Sequence, residues 1–563
     1  MGAWLTACPD WEQRFLCGQT LVPDLPLFTE EAAKALRVYK RLRVPDMHGK
    51  PTLGEVSGPW VFPIVEAIFG SYDPDNNVRM IQEFFWVIPK KNGKSSSAAA
   101  IMVEALILNR RPEGEYILVA PTKGVADIVF LQASGTIRAD PELEKLFQLQ
   151  PHIRKITHRR TGATLQVKAA DTDVITGGKQ VGTLIDETHV FADKAAAAEI
   201  FIEIRGAMAA RPDGFLIQIT TQSKSPPAGV FKAELTRARD VRDGKLILPL
   251  LPIIYELPQS LGREAWKDER YWSLINPNLN RSVSLDFLRR ELESAERQGA
   301  AQLALFASQH FDVEIGIGLQ TDRWAGADYW EQRADTSLTL NELLDRSEVV
   351  TVGIDGGGLD DLLGLAVLGR EKKTRRWLLW THAWAHPIVL ERRKEIAPRL
   401  LDFEKDGDLT LVGEIGQDVI GVCSIIEIIE RRGLLPEKEG IGVDRAGITE
   451  IVDALARRGF SADQGGMIVA VQQGWALTPT IKTAERQLAG PYFAHSGSRL
   501  MDWCVGNAKV EPKGNAILIT KQVSGSAKID PLMATFDAVA CMALNPEAAG
   551  AFIYNERDAI ILA

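Results

Sequence analysis

Continuous apolar runs set the tightest limit on how this chain folds. EFFWVI, EYILVA, GTLID and GFLIQIT do not alternate with polar residues, so neither face of these strands is suited to water. A parallel sheet covered on both faces accommodates them. Helical stretches such as SSSAAAIMVEALILN and KAAAAEIFIEIRGAMAA lie between them, and that alternation predicts an α/β domain. A second α/β region begins at EVVTVGIDGGG and continues through RRWLLWTHAWA, IGVDRAG, MIVAVQQG and AILITKQ. It closes with a helix, DPLMATFDAVACMALN. Between the two regions, NPNLNRSVSLDFLRRELESAERQ opens with turn chemistry and continues as a capped amphipathic helix.

A length of 563 residues leaves room for about three to four domains. The expected division is a helical lead-in over 1–55, an α/β domain over 56–255, a connector over 256–345, a second α/β domain over 346–545, and a tail over 546–563. Within the lead-in, FTEEAAKALRVYKRLRV reads as a helix with Thr29 as N-cap. Arg37, Lys40, Arg41 and Arg43 on it form a solvated face or a contact for DNA or a subunit. Hydrophobic residues at 45% and charged residues at 25% exclude disorder throughout. Five scattered cysteines without a CxxC pair exclude a disulfide scaffold and point to a reducing cytoplasm. No apolar run is long enough to predict a membrane span. The net charge of −9 argues against a protein that coats nucleic acid, although a local basic channel fits within it.

The strand Phe84–Ile88 runs into Pro89-Lys90-Lys91-Asn92-Gly93-Lys94-Ser95-Ser96 and then an Ala-rich helix. The GKS ending matches a phosphate-binding loop. Backbone N–H groups at the helix start cradle phosphates, Lys94 reaches the β and γ oxygens, and Ser95 holds Mg²⁺. Ile88 stands where such a loop usually begins with glycine. Taken alone, GKS is equally a helix start with a surface lysine. The second element is Val181–Asp186 followed by Glu187, an apolar strand ending in two carboxylates. Asp186 suits the Mg²⁺ shell, and Glu187 suits orienting or deprotonating a water. A further strand, Phe215–Ile219, leads to Thr220-Thr221-Gln222-Ser223, a polar end able to sense the γ-phosphate or simply to begin a loop.

Acidic residues also close strands in the second half. Asp355 ends Val349–Ile354 and enters three glycines. Asp444 ends a second short strand. Asp530 opens the last helix, with Asp537 seven residues on and nearly on the same face. Each alone is an ordinary cap or turn residue. As a set, Asp355, Asp444 and Asp530 suit two divalent cations clamping a phosphodiester. All-oxygen ligation favours Mg²⁺ or Mn²⁺, and Asp360 and Asp361 are auxiliary ligands or alternatives. The histidines show no zinc-type spacing.

The order PKKNGKS, LIDETH, ITTQS, GIDGGG, GVDRAG and KIDPLMA resembles the large terminase subunit of tailed bacteriophages. GPWVFPIVEAIFG, NPNLNRSVSLDFLRRE and QGWALTPTIKTAERQL extend the resemblance over about residues 55 to 545. It implies a P-loop ATPase domain followed by an RNase H-like nuclease. Such a motor pumps double-stranded DNA into a procapsid through a portal protein and cuts concatemers. The implied cofactors are ATP with Mg²⁺, and two Mg²⁺ or Mn²⁺ at the nuclease. The implied partners are DNA, portal, procapsid, a small terminase subunit and further copies in a ring, in the cytoplasm of an infected host, with none expected in the mature virion. By position, Lys90 falls on the loop's basic residue acting on phosphates. Thr220 and Thr221 fall on the coupling motif, and Asp355, Asp444 and Asp530 on the nuclease carboxylates. Val61, beside Trp60, occupies the place of the family's adenine-reading glutamine. Arg205 and Arg211 are candidates for an arginine supplied to a neighbouring subunit, or surface helix residues. The alternative is a helicase-like translocase whose C-terminal half binds DNA without cutting it.

Overall fold

The computed structural model describes residues 4–169, 180–193, 197–209, 211–262, 264–315, 324–394, 396–444, 449–513, 516–521 and 528–549. Contacts divide the chain into Met1–Ile315 and Gly316–Ala563. That boundary falls inside the stretch 256–345 expected to be a connector. Most of the tail over 546–563, from 550 onward, lies outside the described residues, as do Arg445, Ala446 and Gly447 of the Asp444 motif.

In the first unit a short hairpin, β1 (Tyr72–Asp73) and β2 (Val78–Arg79), precedes an eight-stranded sheet. Its strands are β3 (Glu83–Val87), β4 (Glu115–Ala120), β5 (Phe147–Gln150), β6 (Lys155–His158), β7 (Thr164–Ala169), β8 (Gln180–Asp186), β9 (Phe215–Thr220) and β10 (Leu250–Ile254). The order is β10-β3-β9-β8-β4-β7-β6-β5. Every pairing from β10 to β7 is parallel, and β6 and β5 add an antiparallel edge. Every residue of β3, β8, β9 and β10 is buried, as continuous apolar runs require. Parallel neighbours bring the ends of β3, β8 and β9 to one edge. Crevices at the carboxyl ends of such strands are where α/β sheets bind ligands.

The lead-in helix spans Thr29–Arg41, one residue displaced from expectation. Thr29 is its first helical residue and Phe28 is the N-cap, without a side-chain bond. A tertiary contact sets this start: Phe28 N donates to Gly70 O at 2.8 Å. Lys40 Nζ lies 4.4 Å from the Phe62 ring centroid, while Arg37 and Arg41 are exposed. The amphipathic helix Leu285–Gln298 is capped as its sequence implies, Ser284 Oγ accepting from Phe287 N at 3.2 Å.

The second unit is built on β11 (Ser347–Gly356), β12 (Leu363–Glu371), β13 (Trp377–Ala385), β14 (Leu409–Leu411), β15 (Ile441–Asp444), β16 (Ile468–Val471) and β17 (Phe493–His495). The order is β14-β13-β12-β11-β15-β16, with β17 also paired to β13. Strands β11, β12 and β13 form an antiparallel meander, and β15 and β16 extend it in parallel. Three antiparallel strands followed by two parallel ones on the side of the first strand make an RNase H-like sheet. The AILITKQ run was expected to continue this α/β region. Instead β18 (Ala508–Lys513) and β19 (Ala516–Lys521) form a separate two-stranded ribbon. Strand β12 was not anticipated, because Gly364 and Gly369 interrupt its apolar pattern.

Gly364, with Gly353 and Gly442, has a packing purpose. The last helix, Asp530–Met542, lies directly on the sheet. A Cβ at Gly353 would sit 1.9 Å from Ala534 O, at Gly364 2.7 Å from Pro531 N, and at Gly442 2.8 Å from Asp537 O. Thr351 Oγ1 donates to Ala538 O at 2.9 Å. The sheet thus offers a lane without side chains, and the helix settles into it by its backbone.

Candidate functional site

The loop after β3 does not need its missing first glycine. Ile88 is buried and its N–H donates to Thr220 O at 3.0 Å, so the strand simply runs one residue further. The turn comes later, where Lys91 (φ 68°) and Gly93 (φ 77°) are left-handed. Gly93 meets this at no steric cost, and Lys91 adopts it under strain. The helix Lys94–Leu108 then begins with its free N–H groups toward the loop. Lys94 Nζ donates to Ile88 O at 2.8 Å and to Pro89 O at 3.4 Å. Ser95 Oγ donates to Asp186 Oδ2 at 3.2 Å across 91 residues of chain.

Asp186 and Glu187 are adjacent but electrostatically opposite. Burial, with Glu187 beside it, pushes the Asp186 carboxyl up to about 7. Its Oδ1 is buried without a hydrogen bond among the described residues. Burial also opposes ionisation of Glu187, but His189, Lys94 and Lys90 outweigh it and hold the carboxyl at about 2. Glu187 has φ 55°, which turns it away from the direction of Asp186. His189 was not among the expected residues, although it lies within LIDETH. Its ring Nδ1 is 3.2 Å from Glu187 Oε2 and 3.0 Å from Thr220 Oγ1, and its backbone N donates to the same hydroxyl at 3.0 Å. Thr220 therefore touches the carboxylate's partner directly. Thr221 is buried beside it, its hydroxyl donating to Gln222 O at 3.1 Å. Burial lowers the Lys90 ammonium, with Glu187 pulling the other way.

Asn92 is fully buried, and its side chain bonds to protein: Nδ2 to Asn276 Oδ1 at 2.8 Å, and Oδ1 from Asn278 N at 2.9 Å. Ser96 follows Ser95 in the first helical turn. Arg205 is held by Glu83 and Glu234, at 2.9 and 2.6 Å, with Arg237 pairing to the same carboxylates. Presenting Arg205 to another subunit would break a half-buried network. Arg211 stands at the turn after helix Ala197–Ala209, its N–H donating to Met208 O at 2.8 Å. Val61 is wholly buried, and Trp60 Nε1 donates to Asn278 Oδ1 at 2.9 Å, so neither side chain presents itself to a base here.

In the second unit, Ile354 pairs with Val443 between parallel β11 and β15, which places Asp355 and Asp444 at neighbouring strand ends. The helix in the glycine lane supplies the other two carboxylates. A Cβ at Gly356 would lie 3.2 Å from Asp530 Cβ, which puts Asp530 beside the Asp355 turn. Asp537, one turn pair deeper, is near Asp444. Burial drives its carboxyl well above the usual range and Asp444 adds to the shift, against a 2.8 Å bond from Gln473 Nε2. Asp537 Oδ2 is buried without a hydrogen bond among the described residues. The expected convergence of Asp355, Asp444 and Asp530 is therefore expressed by the backbone. Among the described residues no group of three or more His, Cys, Asp or Glu side chains is gathered tightly enough to hold a metal. Asp360 pairs with Arg393 at 3.1 Å, and Asp361 with the buried Lys528 at 2.5 Å, so both auxiliary candidates have cations of their own.

Comparison with known proteins bears on both units. Residues 59–236 match the family described as terminase large subunit, ATPase domain. The terminase large subunit of Lactococcus phage p2 is 24% identical over 477 residues, covering 81% of this chain and 81% of that protein. The crystal structure of the HK97 bacteriophage large terminase is similar at 17% identity and a TM-score of 0.43, covering 90% of this chain and 99% of that one. The large terminase nuclease of thermophilic phage G20c with bound magnesium is similar at 10% identity and a TM-score of 0.23, over 34% of this chain and 80% of that one. Residues 59–236 thus match the ATPase domain of terminase large subunits, and a terminase large subunit aligns along most of the chain.

Proposed function

We propose that this chain is the motor and cutting subunit of a viral DNA-packaging machine. It hydrolyses ATP in its first unit to move double-stranded DNA into a procapsid, and it cleaves concatemeric DNA with its second. One observation carries the ATPase reading: Ser95 and Asp186 meet at the mouth of a phosphate loop, with Glu187 held ionised alongside.

Ser95 Oγ and the unbonded Asp186 Oδ1 suit a magnesium ion, which would neutralise charge on the phosphates. The protein's own residues do the rest. Lys94 exchanges its loop carbonyls for phosphate oxygens, and Lys90 adds positive charge from the same subunit. Glu187 orients a water and accepts its proton, and it is ionised at any physiological pH. His189 keeps Glu187 in place and relates it to Thr220, so loss of the γ-phosphate is felt at the end of β9. In the second unit Asp355 and Asp444, with Asp530 or Asp537 from the helix, form an all-oxygen donor set suited to Mg²⁺ or Mn²⁺. Metal bound there would polarise a phosphodiester. The portal, the procapsid, a small terminase subunit and further copies of this chain in a ring are the partners this reading calls for, in the cytoplasm of the infected host. DNA held by its phosphates requires no sequence readout, so binding should weaken steeply with salt.

The translocase alternative keeps one specific support, the absence of a gathered three-carboxylate cluster among the described residues. Plasmid nicking by the full chain with Mn²⁺ separates the two readings. Nicking that disappears in Asp355→Ala, with ATP turnover intact, supports the nuclease. Unchanged plasmid beside vigorous ATP turnover supports the translocase.

A further inference from the structure

The NPNLN turn lies far from the phosphate loop in sequence and holds it in space. Asn276 and Asn278 reach Asn92 across 184 and 186 residues. Asn92 Nδ2 donates to Asn276 Oδ1 at 2.8 Å and to Pro89 O at 3.2 Å, while Asn92 Oδ1 accepts from Asn278 N at 2.9 Å. Asn278 Nδ2 donates to Asn92 O at 2.8 Å, and Asn278 Oδ1 accepts from Gly58 N at 3.1 Å and Trp60 Nε1 at 2.9 Å. Asn276 Nδ2 donates to His310 O at 3.1 Å. Each of the three amides uses both its donor and its acceptor side, so a single orientation satisfies them all. A carboxylate cannot donate, and a hydroxyl is too short to span both partners.

The network continues beyond the loop. Next to His310, Gln309 O accepts from Lys90 N at 2.8 Å, and Gln309 Nε2 donates to Gln222 O at 2.9 Å. Asp312, left-handed at φ 47° and buried, accepts from Gln222 N at 2.9 Å. Gln222 directly follows Thr220 and Thr221. A hydrogen-bonded circuit thus runs from the phosphate loop through residues 276–312 to the end of β9, inside one unit. The loop it grips contains the strained Lys91 and the left-handed Gly93, a shape that persists when surrounding bonds over-determine it.

We propose that Asn276 and Asn278 are positioning residues for ATP hydrolysis. Through Asn92 they set the shape of the phosphate loop, and through His310 Asn276 ties that shape to the Thr220–Thr221 strand end. The proposal rests on the reading of the Lys94 loop as an ATP site. Neither asparagine is required to touch the nucleotide; they act on where Lys94 stands when the γ-phosphate is transferred.

The test is steady-state ATP turnover by the full chain and its Asn276→Asp variant, with Lys94→Ala as control. Asn276→Asp keeps the acceptor for Asn92 and removes the donor to His310 O. The expected result is a kcat per folded molecule about 10- to 100-fold lower with KM for ATP nearly unchanged, because a misplaced group harms the transition state more than binding. Asn92→Ala should lower kcat similarly, and the Asn92→Ala/Asn276→Asp double variant should lose little beyond the larger single loss, since each breaks one link of the same Asn92–Asn276–His310 chain of hydrogen bonds. Asn278→Asp provides the same measurement where Asn276→Asp yields too little folded protein. A Lys94-dependent parent whose Asn276→Asp and Asn278→Asp variants both turn over within about twofold of it overturns the proposal alone, as do fully multiplicative losses in the double variant. A parent whose turnover survives Lys94→Ala overturns the ATP-site reading and the proposal together.

Discussion

In the first unit, Ser95 bonds Asp186, whose carboxyl burial and Glu187 push up, while His189, Lys94 and Lys90 hold Glu187 ionised. In the second unit, Asp355 and Asp444 end adjacent strands in the same way, and Asp537, like Asp186, is driven toward its neutral form by burial and by a neighbouring carboxylate. Nearby, Arg393 pairs with Asp360 and Lys528 with Asp361. Two parallel strand ends carrying carboxylates can thus serve different ends. Where the protein supplies the countercharge, the geometry is set before ligand arrives. In the second unit the backbone sets Asp355 and Asp444 at neighbouring strand ends, an arrangement suited to a divalent ion on the proposed reading.

That contrast can be broken most decisively at Asp355. Asp355→Ala should reduce Mn²⁺-dependent nicking by about 10³-fold or more, the effect of losing a metal ligand worth several kcal/mol. ATP turnover by the same protein should not change; parallel loss of both would show that the two sites are not independent. Glu187→Gln sharpens the other side, lowering ATP turnover by about 10²- to 10⁴-fold while nicking and ADP binding persist. Substitution in the glycine lane tests how the second site is built. Gly353→Ala places a methyl 1.9 Å from Ala534 O and should destabilise the protein by about 3 kcal/mol or more in chemical denaturation, with nicking lost alongside the fold.

The smallest effect concerns Glu104, on the helix behind the phosphate loop. It is fully buried, neither carboxyl oxygen has a hydrogen bond among the described residues, and burial holds its carboxyl well above the usual range. The folded state therefore keeps a proton that the unfolded state releases near pH 4.5, and stability falls as pH rises above that value. Glu104→Gln should remove this slope and raise stability at pH 8 by about 1–3 kcal/mol, read from melting curves at pH 5 and 8. A melting temperature that falls at both pH values would mean the carboxyl has a partner that glutamine cannot replace.

Much of the first site could be read from the chain alone, because its parts are local. A strand, a GKS turn and a helix follow one another within a few residues, and LIDETH carries both carboxylates at the end of one strand. His189 could have been found there as well, since a histidine two residues after a strand-end carboxylate invites the question of what it bonds. The asparagine clamp was less accessible: NPNLN reads as a turn, and nothing in its composition says that it closes on residue 92. In the second unit the aspartates stood out as strand and helix ends, whereas Asp537's depth and Gln473's hold on it depend on a helix packing into a lane of glycines.

Residue order alone determined two α/β regions, the phosphate loop, the paired carboxylates of Asp186 and Glu187, and the candidacy of Asp355, Asp444, Asp530 and Asp537, because each follows from short-range periodicity and turn chemistry. Tertiary structure alone decided that Phe28 rather than Thr29 caps its helix, that Arg205 belongs to a Glu83–Glu234 network, that β19 leaves the sheet, and that Asn276 and Asn278 grip Asn92. Those outcomes come from contacts between segments distant in sequence, where burial and the requirement to satisfy every polar group outweigh local preference.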